Sequence, residues 1–267
     1  MQANNIFLLI QMQTYVKVIE KVKLKKPIFV QGLPGIGNVG RVAAGYLVSE
    51  LKMKKFAEMY SRHFLPLVLL HNDAVACLLK CELYYHRGRD RDIVVLTGDS
   101  QSVTSDGHYE ISEAIVNFIE SLGVKEVVTI GGFAEGKEIS LPRVIGAVGD
   151  KSLIKKYSKF NIDFGKEHQI GTIVGASGLV VGLSSLKGID ALCLMGETVG
   201  LPIMTDPKAA DAVLHVLVKL LGVKVDLSKL EKTIHDMEDK ITRTDEVHKK
   251  MLAELSKPKD ENIRYIG

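Results

Sequence analysis

What this chain has little of removes several protein classes before any motif is read. Cysteine is scarce, three in 267 residues, and none are spaced as Cys-x-x-Cys, which argues against a disulfide framework and fits a reducing compartment. Excess charge is scarce too. Lys and Arg number 35 against 32 Asp and Glu, a formal +3, so there is no broad electrostatic case for binding nucleic acid or a membrane surface. Long apolar runs are missing: none approaches the roughly 20 residues of a membrane-spanning helix. The opening Met1-Gln2-Ala3-Asn4-Asn5 lacks the basic start of a secretory signal, and Ile6 to Ile10 is too short for its apolar core. Also absent are a Gly-Lys-Ser/Thr phosphate loop, a His-Glu-x-x-His helix and a Gly-x-Ser-x-Gly elbow. These absences describe a soluble, cytoplasmic protein with no legible metal site.

What is present is a hydrophobic fraction of 46%, enough for a sizeable core, in a length that suits one large α/β domain or a domain with an appendage. The organising stretch is Gly32-Leu33-Pro34-Gly35-Ile36-Gly37-Asn38-Val39-Gly40. Apolar Ile28-Phe29-Val30 leads into it and Arg41 to Val48 leaves it with helical spacing, so it reads as strand, tight turn and helix N-terminus. Gly35, Gly37 and Gly40 match G-x-G-x-x-G, which lets backbone approach a phosphate on the helix dipole. The alternative reading is that the glycines let helix and strand pack closely. A nucleotide unit also needs an acidic residue at a strand end about 20 residues on. Glu58 lies near that distance, but inside Phe56 to Tyr60.

Along the chain, residues 1–13 read as an N-terminal extension, with Met12 a candidate second start. Thr14 to Leu24 alternates like a strand, and 65–70 and 75–85 like two strands joined by His71-Asn72-Asp73. Cys77 and Cys81, on one strand face, would stand roughly 13 Å apart, too far to share a zinc ion, so both are expected in the core. Ile93 to Thr97 is a strand buried on both faces. Gly107 to Leu122 is a helix capped by Asp106 and stopped by Gly123, and Val127 to Ile130 is the next strand. There follow a strand at 144–148, a short polar helix at 151–159, a strand-to-helix turn at 173–178 and a strand at 191–195. A helix opened by Asp206-Pro207 then runs to about Leu221. The repeated strand–loop–helix units predict a three-layer α/β/α domain over 14–225, with a mostly parallel sheet.

Ligands of such sheets sit beyond the carboxyl ends of the strands. Those positions hold Gly35, Gly37 and Gly40, then Asp99 and Ser100, Gly131 and Gly132, and Glu197 with Thr198, a set suited to a phosphate and a ribose. Met195-Gly196-Glu197-Thr198 resembles the ribose-binding Met-Glu stretch of nucleoside phosphorylases. No nucleophile–base pair is legible, since neither Ser100 nor Ser177 has a histidine identifiable as its base. A nucleotide- or nucleoside-handling enzyme using these loops is the alternative function.

From Asp226 the character changes. Ser228-x-x-Glu231 can form a capping box. Leu227, Leu230, Ile234, Met237 and Ile241 follow steps of three and four, continued at Met251 and Leu255. A seam this narrow suits a coiled-coil-like extension over 226–256 that joins subunits, and a helix docked on its own domain would carry an apolar stripe as well. Residues 257–267 are expected to be a flexible tail ending in Ile263-Arg264-Tyr265-Ile266-Gly267.

The glycine turn at 32–40, Thr97-Gly98-Asp99, Gly131-Gly132-Phe133, Gly175-Ala176-Ser177-Gly178-Leu179, Gly196-Glu197-Thr198 and Asp206-Pro207-Lys208-Ala209-Ala210 follow one another as in the proteasome-assembly-chaperone family. Over residues 15–225 the chain resembles that family, its archaeal branch above all. The resemblance implies an α/β/α domain similar to nucleoside phosphorylases, no cofactor, and self-association into about four or five subunits, or pairing with a paralogue. It implies an assembly chaperone or ATP-independent activator that docks on the α-ring of the proteasome core. The family's free C-terminus carries a hydrophobic residue, a tyrosine and any final residue, and it pairs its carboxylate with a pocket lysine between α-ring subunits. Here Tyr265 is third from the end and Arg264 precedes it, a departure of one residue. An aromatic anchor on a flexible linker, repeated across an oligomer, still suits a preformed groove.

Overall fold

The computed structural model describes residues 14–70, 74–137, 139–165, 171–200 and 205–234. In chain order the strands are β1 (Thr14–Val18), β2 (Ile28–Gly32), β3 (Lys54–Ser61), β4 (Val68–Leu70), β5 (Ala76–Leu78), β6 (Cys81–His86), β7 (Ile93–Gly98), β8 (Glu126–Ala134), β9 (Val144–Val148) and β10 (Asp190–Thr198). The helices are α1 (Val39–Glu50), α2 (Ser105–Ser121), α3 (Leu153–Tyr157), α4 (Ala176–Leu186) and α5 (Pro207–Leu221). Strands β4 and β5 form a separate hairpin, and the others make an eight-stranded sheet ordered β1-β3-β6-β7-β2-β8-β10-β9. The parallel pairings join β7, β2, β8 and β10 at the centre. Both flanks are antiparallel.

The central strands are apolar throughout because each feeds two cores by alternation. Ile28 and Val30 face one side and Phe29 the other. Val95 opposes Val94 and Leu96, and Leu192 and Leu194 oppose Ala191 and Cys193. Helices α1 and α5 cover the first face, and α2 and α4 the second. This is the three-layer α/β/α arrangement. Among the described residues no helix is long and apolar enough to cross a membrane.

Several boundaries differ from expectation for local reasons. Strand β3 was not anticipated, because Lys54, Lys55 and Glu58 interrupt its apolar pattern. The expected strand at 75–85 is two: Lys80 and Asp99 exchange backbone and carboxylate hydrogen bonds, with the Asp99 N–H 2.9 Å from Lys80 O and the Lys80 N–H 3.2 Å from Asp99 Oδ2. Cys77 therefore belongs to the hairpin and is partly exposed, while Cys81 is in the core of the main sheet. Helix α2 is capped by Thr104 instead of Asp106, its hydroxyl accepting from the Gly107 N–H at 3.1 Å. Residues 171–174 form no strand; Gly175, at φ +89°, turns the chain directly into α4. Helix α5 starts as expected, with Asp206 Oδ1 accepting from the Ala209 N–H at 3.0 Å and Pro207 in the first turn.

The beginning of the C-terminal seam packs at home. Asp226, not Ser228, is the cap: the Ser228 N–H and hydroxyl both donate to its carboxylate at 3.1 and 2.7 Å. Leu230 and Ile234 are 4% and 3% exposed in the core beneath α1 and α5, and Leu227 packs against it. The Tyr46 hydroxyl donates to the Asp226 carbonyl. These three seam positions thus serve the domain itself. Met237, Ile241, Met251 and Leu255 lie outside the described residues, as do residues 1–13 and the tail Ile263 to Gly267.

The chain packs tightly where α1 leaves β2. A Cβ on Gly32 would overlap the Gly40 carbonyl oxygen and come within 2.6 Å of the Ala44 Cβ. Since neither neighbour is a flexible side-chain end, Gly32→Ala is expected to lower stability by about 1–3 kcal/mol, the range for overpacking, measured as a reduced urea midpoint.

Candidate functional site

The glycines at the strand ends are held mainly by packing of the chain on itself. A Cβ at Gly40 would stand 2.6 Å from the Ile130 carbonyl oxygen, and one at Gly132 would overlap the Ile36 carbonyl. Gly37 adopts a left-handed φ of +62°, and a Cβ there would meet Thr198 Oγ1 at 3.0 Å. Its carbonyl accepts from the Asp206 N–H at 2.9 Å. Gly37 thus ties the turn to the starts of β10's exit and α5, and Gly40 locks α1 onto β8. This is the close-packing reading of the motif.

What remains open is a cavity of about 260 Å³ between the glycine turn, the end of β8 and the approach to α4. Gly35, Gly40, Gly131 and Gly132 line it, and so do Gln31, Gln101 and Ser177. Apolar walls come from Ile36, Phe133, Ile173 and Met195, and no charged side chain contributes among the described residues. Gln101 braces the rim: its amide nitrogen donates to the Pro34 carbonyl, and its oxygen accepts from the Ala176 N–H at 3.2 Å. The N-terminus of α4 is thereby partnered from within.

The charged candidates lie elsewhere. Asp99 does not line the cavity. Burial pushes its carboxyl above the ordinary range, against the Lys80 N–H and Arg41, whose Nη2 is 4.0 Å away. Ser100 is buried and donates to the Gln101 carbonyl at 2.7 Å, so it does not stand as a free nucleophile. Glu197 is buried at the end of β10, accepting from the Arg143 N–H at 2.9 Å and its Nε at 2.8 Å. Glu58, the candidate ribose ligand, is inside β3. Burial would raise its pKa, but Lys80 at 2.6 Å, Lys55 at 3.1 Å and the Tyr60 hydroxyl at 2.9 Å outweigh this and hold it at about 2. The structure therefore brings together Gly35, Gly40, Gly131 and Gly132, and separates Asp99, Ser100 and Glu197 from them. Gln31, Gln101 and Arg143 were not anticipated. Gln31 had a visible signal, a lone amide inside the apolar strand Ile28-Phe29-Val30-Gln31-Gly32.

A family model, that of the PAC2 family, matches residues 29–244. The chain belongs to the PAC2 family. Its similarity extends over nearly whole proteins. An uncharacterised protein of Methanocaldococcus jannaschii is 38% identical, over 96% of this chain and 100% of that one. Among solved structures, Pyrococcus furiosus PbaB, described as an archaeal proteasome activator, is 38% identical with a TM-score of 0.78, covering 86% of this chain and 97% of that one. Pyrococcus furiosus PbaA, described as an archaeal homologue of proteasome-assembly chaperone, is 27% identical with a TM-score of 0.71, covering 87% and 96%. The glycine turn, cavity and Glu197–Arg143 pair all lie within the PAC2 match.

The Glu197–Arg143 pair is asymmetric, 4% against 50% side-chain exposure, and this orders the cost of breaking it. Removing the arginine side chain leaves a buried carboxylate with fewer donors, its bond from the residue 143 backbone N–H remaining; neutralising the glutamate leaves a guanidinium that water can reach. Arg143→Met is expected to cost about 1–3 kcal/mol, the range for a buried group that loses hydrogen-bond partners, and Glu197→Gln about 1 kcal/mol. Urea unfolding of the two variants checks the order.

Proposed function

We propose that this protein engages the proteasome core, as an activator that needs no ATP hydrolysis or as an assembly chaperone, in the cytoplasm. The observation that carries the reading is the likeness to PbaB: 38% identity and a TM-score of 0.78, across 97% of a chain described as a proteasome activator. The lower identity to PbaA, 27%, favours activator over assembly factor. The strand-end geometry supports a binding protein over a nucleotide enzyme. Two of the three motif glycines approach other parts of the chain, and the acidic candidates are engaged in internal pairs.

The docking element in this reading is the tail. It follows polar Ser256 to Asn262 and comprises Ile263-Arg264-Tyr265-Ile266-Gly267, an apolar-aromatic anchor for a groove between α-ring subunits. Each tail alone binds weakly, so the proposal includes a homo-oligomer whose copies act together. With Leu227, Leu230 and Ile234 packed in their own domain, Met237, Ile241, Met251 and Leu255 are the positions left to join subunits.

The test is peptidase activity of an archaeal proteasome core, with full-length protein and with a truncation ending at Asn262. Full-length protein is expected to stimulate hydrolysis or co-purify with the core, and the truncation to do neither. Equal effects from both would overturn the tail mechanism, and no association by either would overturn the proteasome reading itself.

A further inference from the structure

The sheet centre is covered on both faces, whereas the β1-β3-β6 flank opens on one of them into a groove. Val16, Met59, Cys81 and Leu83 alternate into the core beneath α2. Tyr15, Lys17 and Tyr60 alternate onto the other face and line the groove. Its facing wall is the β4–β5 hairpin with its approach, which supplies Leu67, Ala76, Cys77 and Leu78. Leu70 and Leu78 of that hairpin are 65% and 62% exposed. Apolar surface left open on so small an element marks a place of contact. The groove encloses about 650 Å³, within the usual range for binding sites.

Its charge is one-sided. Among the described residues the charged side chains lining it are Lys17, Arg62 and Lys80, all basic. The acids nearby are already matched. Glu58, opposite Lys17 in the register, and Glu82 are each bonded to Lys55 and Lys80, at 2.6–3.3 Å. Two lysines thus offset two glutamates, and Lys17 and Arg62 are left over. Both are exposed, and neither is hydrogen-bonded or ion-paired among the described residues. Their placement is regular. Tyr15 and Tyr60 face each other across β1 and β3; Lys17 lies two residues to one side of that pair and Arg62 two residues to the other, about 7 Å each way.

We propose that this groove docks an extended peptide segment of a partner protein with the pattern acid-x-apolar-x-acid. Alternate side chains of an extended chain share one face at the same repeat of about 7 Å. The middle, apolar side chain then lies over Tyr15 and Tyr60 against Leu67 and Leu78, and the flanking carboxylates meet Lys17 and Arg62. Unmatched basic charge at both ends selects acids and rejects bases, while the apolar wall between them supplies the anchor. The site is built from the domain itself and owes nothing to the tail, so it stands or falls separately from the proteasome reading.

The experiment is fluorescence anisotropy of the full-length protein with labelled, end-blocked peptides: Ser-Glu-Thr-Phe-Thr-Glu-Ser, the same with leucine for phenylalanine, and the counterpart Ser-Lys-Thr-Phe-Thr-Lys-Ser. At least one acidic peptide is expected to bind with a Kd below about 0.5 mM, more weakly as salt rises, and the lysine peptide not to bind. Lys17→Gln combined with Arg62→Gln should weaken binding roughly tenfold, and Leu78→Ser roughly fivefold. Lys17→Glu combined with Arg62→Glu should invert the preference and capture the lysine peptide, a result that damage to the fold cannot produce. The proposal is overturned if no acidic peptide binds, if the lysine peptide binds the wild type as well, or if the variants bind as the wild type does. It is also overturned if the glutamine variant changes the oligomeric state in light scattering, which would assign the groove to a second copy of this chain.

Discussion

The contact on which the rest depends is the approach of α1 to the ends of β2 and β8. Gly32 lies against the Gly40 carbonyl, Gly40 within van der Waals range of the Ile130 carbonyl, and Gly132 against the Ile36 carbonyl. A side chain at any of them would push the helix off the sheet. With the helix seated, Val39, Val42, Ala43, Tyr46 and Leu47 reach the core shared with α5. Tyr46 then reaches Asp226 and anchors the start of the C-terminal segment. One backbone constraint thus sets the sheet centre, one helical layer and the seat of the segment at Asp226.

That constraint also shapes what the strand-end region can do. A glycine turn that cradles phosphate leaves its N–H groups facing an open, electropositive hollow. Here the turn is closed by β8, β10 and the start of α5, and the residual space is small and, among the described residues, lined by no charged side chain. The carboxylates that might have served chemistry are structural: Glu58 binds the outer strands through Lys55 and Lys80, and Glu197 fastens β10 to the segment before β9 through Arg143. Two proteins similar to this chain, PbaB and PbaA of Pyrococcus furiosus, are described as an archaeal proteasome activator and an archaeal homologue of proteasome-assembly chaperone.

The central strands could be read from the sequence because burial on both faces makes them continuous apolar runs, as in Ile93 to Leu96 and Ala191 to Met195. Helix α5 was legible for a different reason: Asp206-Pro207 is a local signal that needs no tertiary partner. Strand β3 was not legible, since Lys54, Lys55 and Glu58 look like loop until Glu82 and Lys80 are seen beside them. Missing β3 made the sheet look more parallel than it is. The break between Cys77 and Cys81 depends on Asp99, far along the chain, and the partner of Glu197 is Arg143. Long-range pairs of this kind leave no trace in local pattern. Gln31 lay between these cases, conspicuous in its strand but with its burial between Leu96 and Thr129 apparent only once the strand order was known.

The central claim is engagement of the proteasome core through the tail. Its most direct measurement is site-specific photo-crosslinking, with benzoylphenylalanine in place of Tyr265 in the full-length protein mixed with an archaeal core particle. Crosslinks confined to α-ring subunits, and competed away by unmodified protein, are the predicted result. Crosslinks only between copies of this chain, or none to the α-ring at saturating concentration, would contradict it.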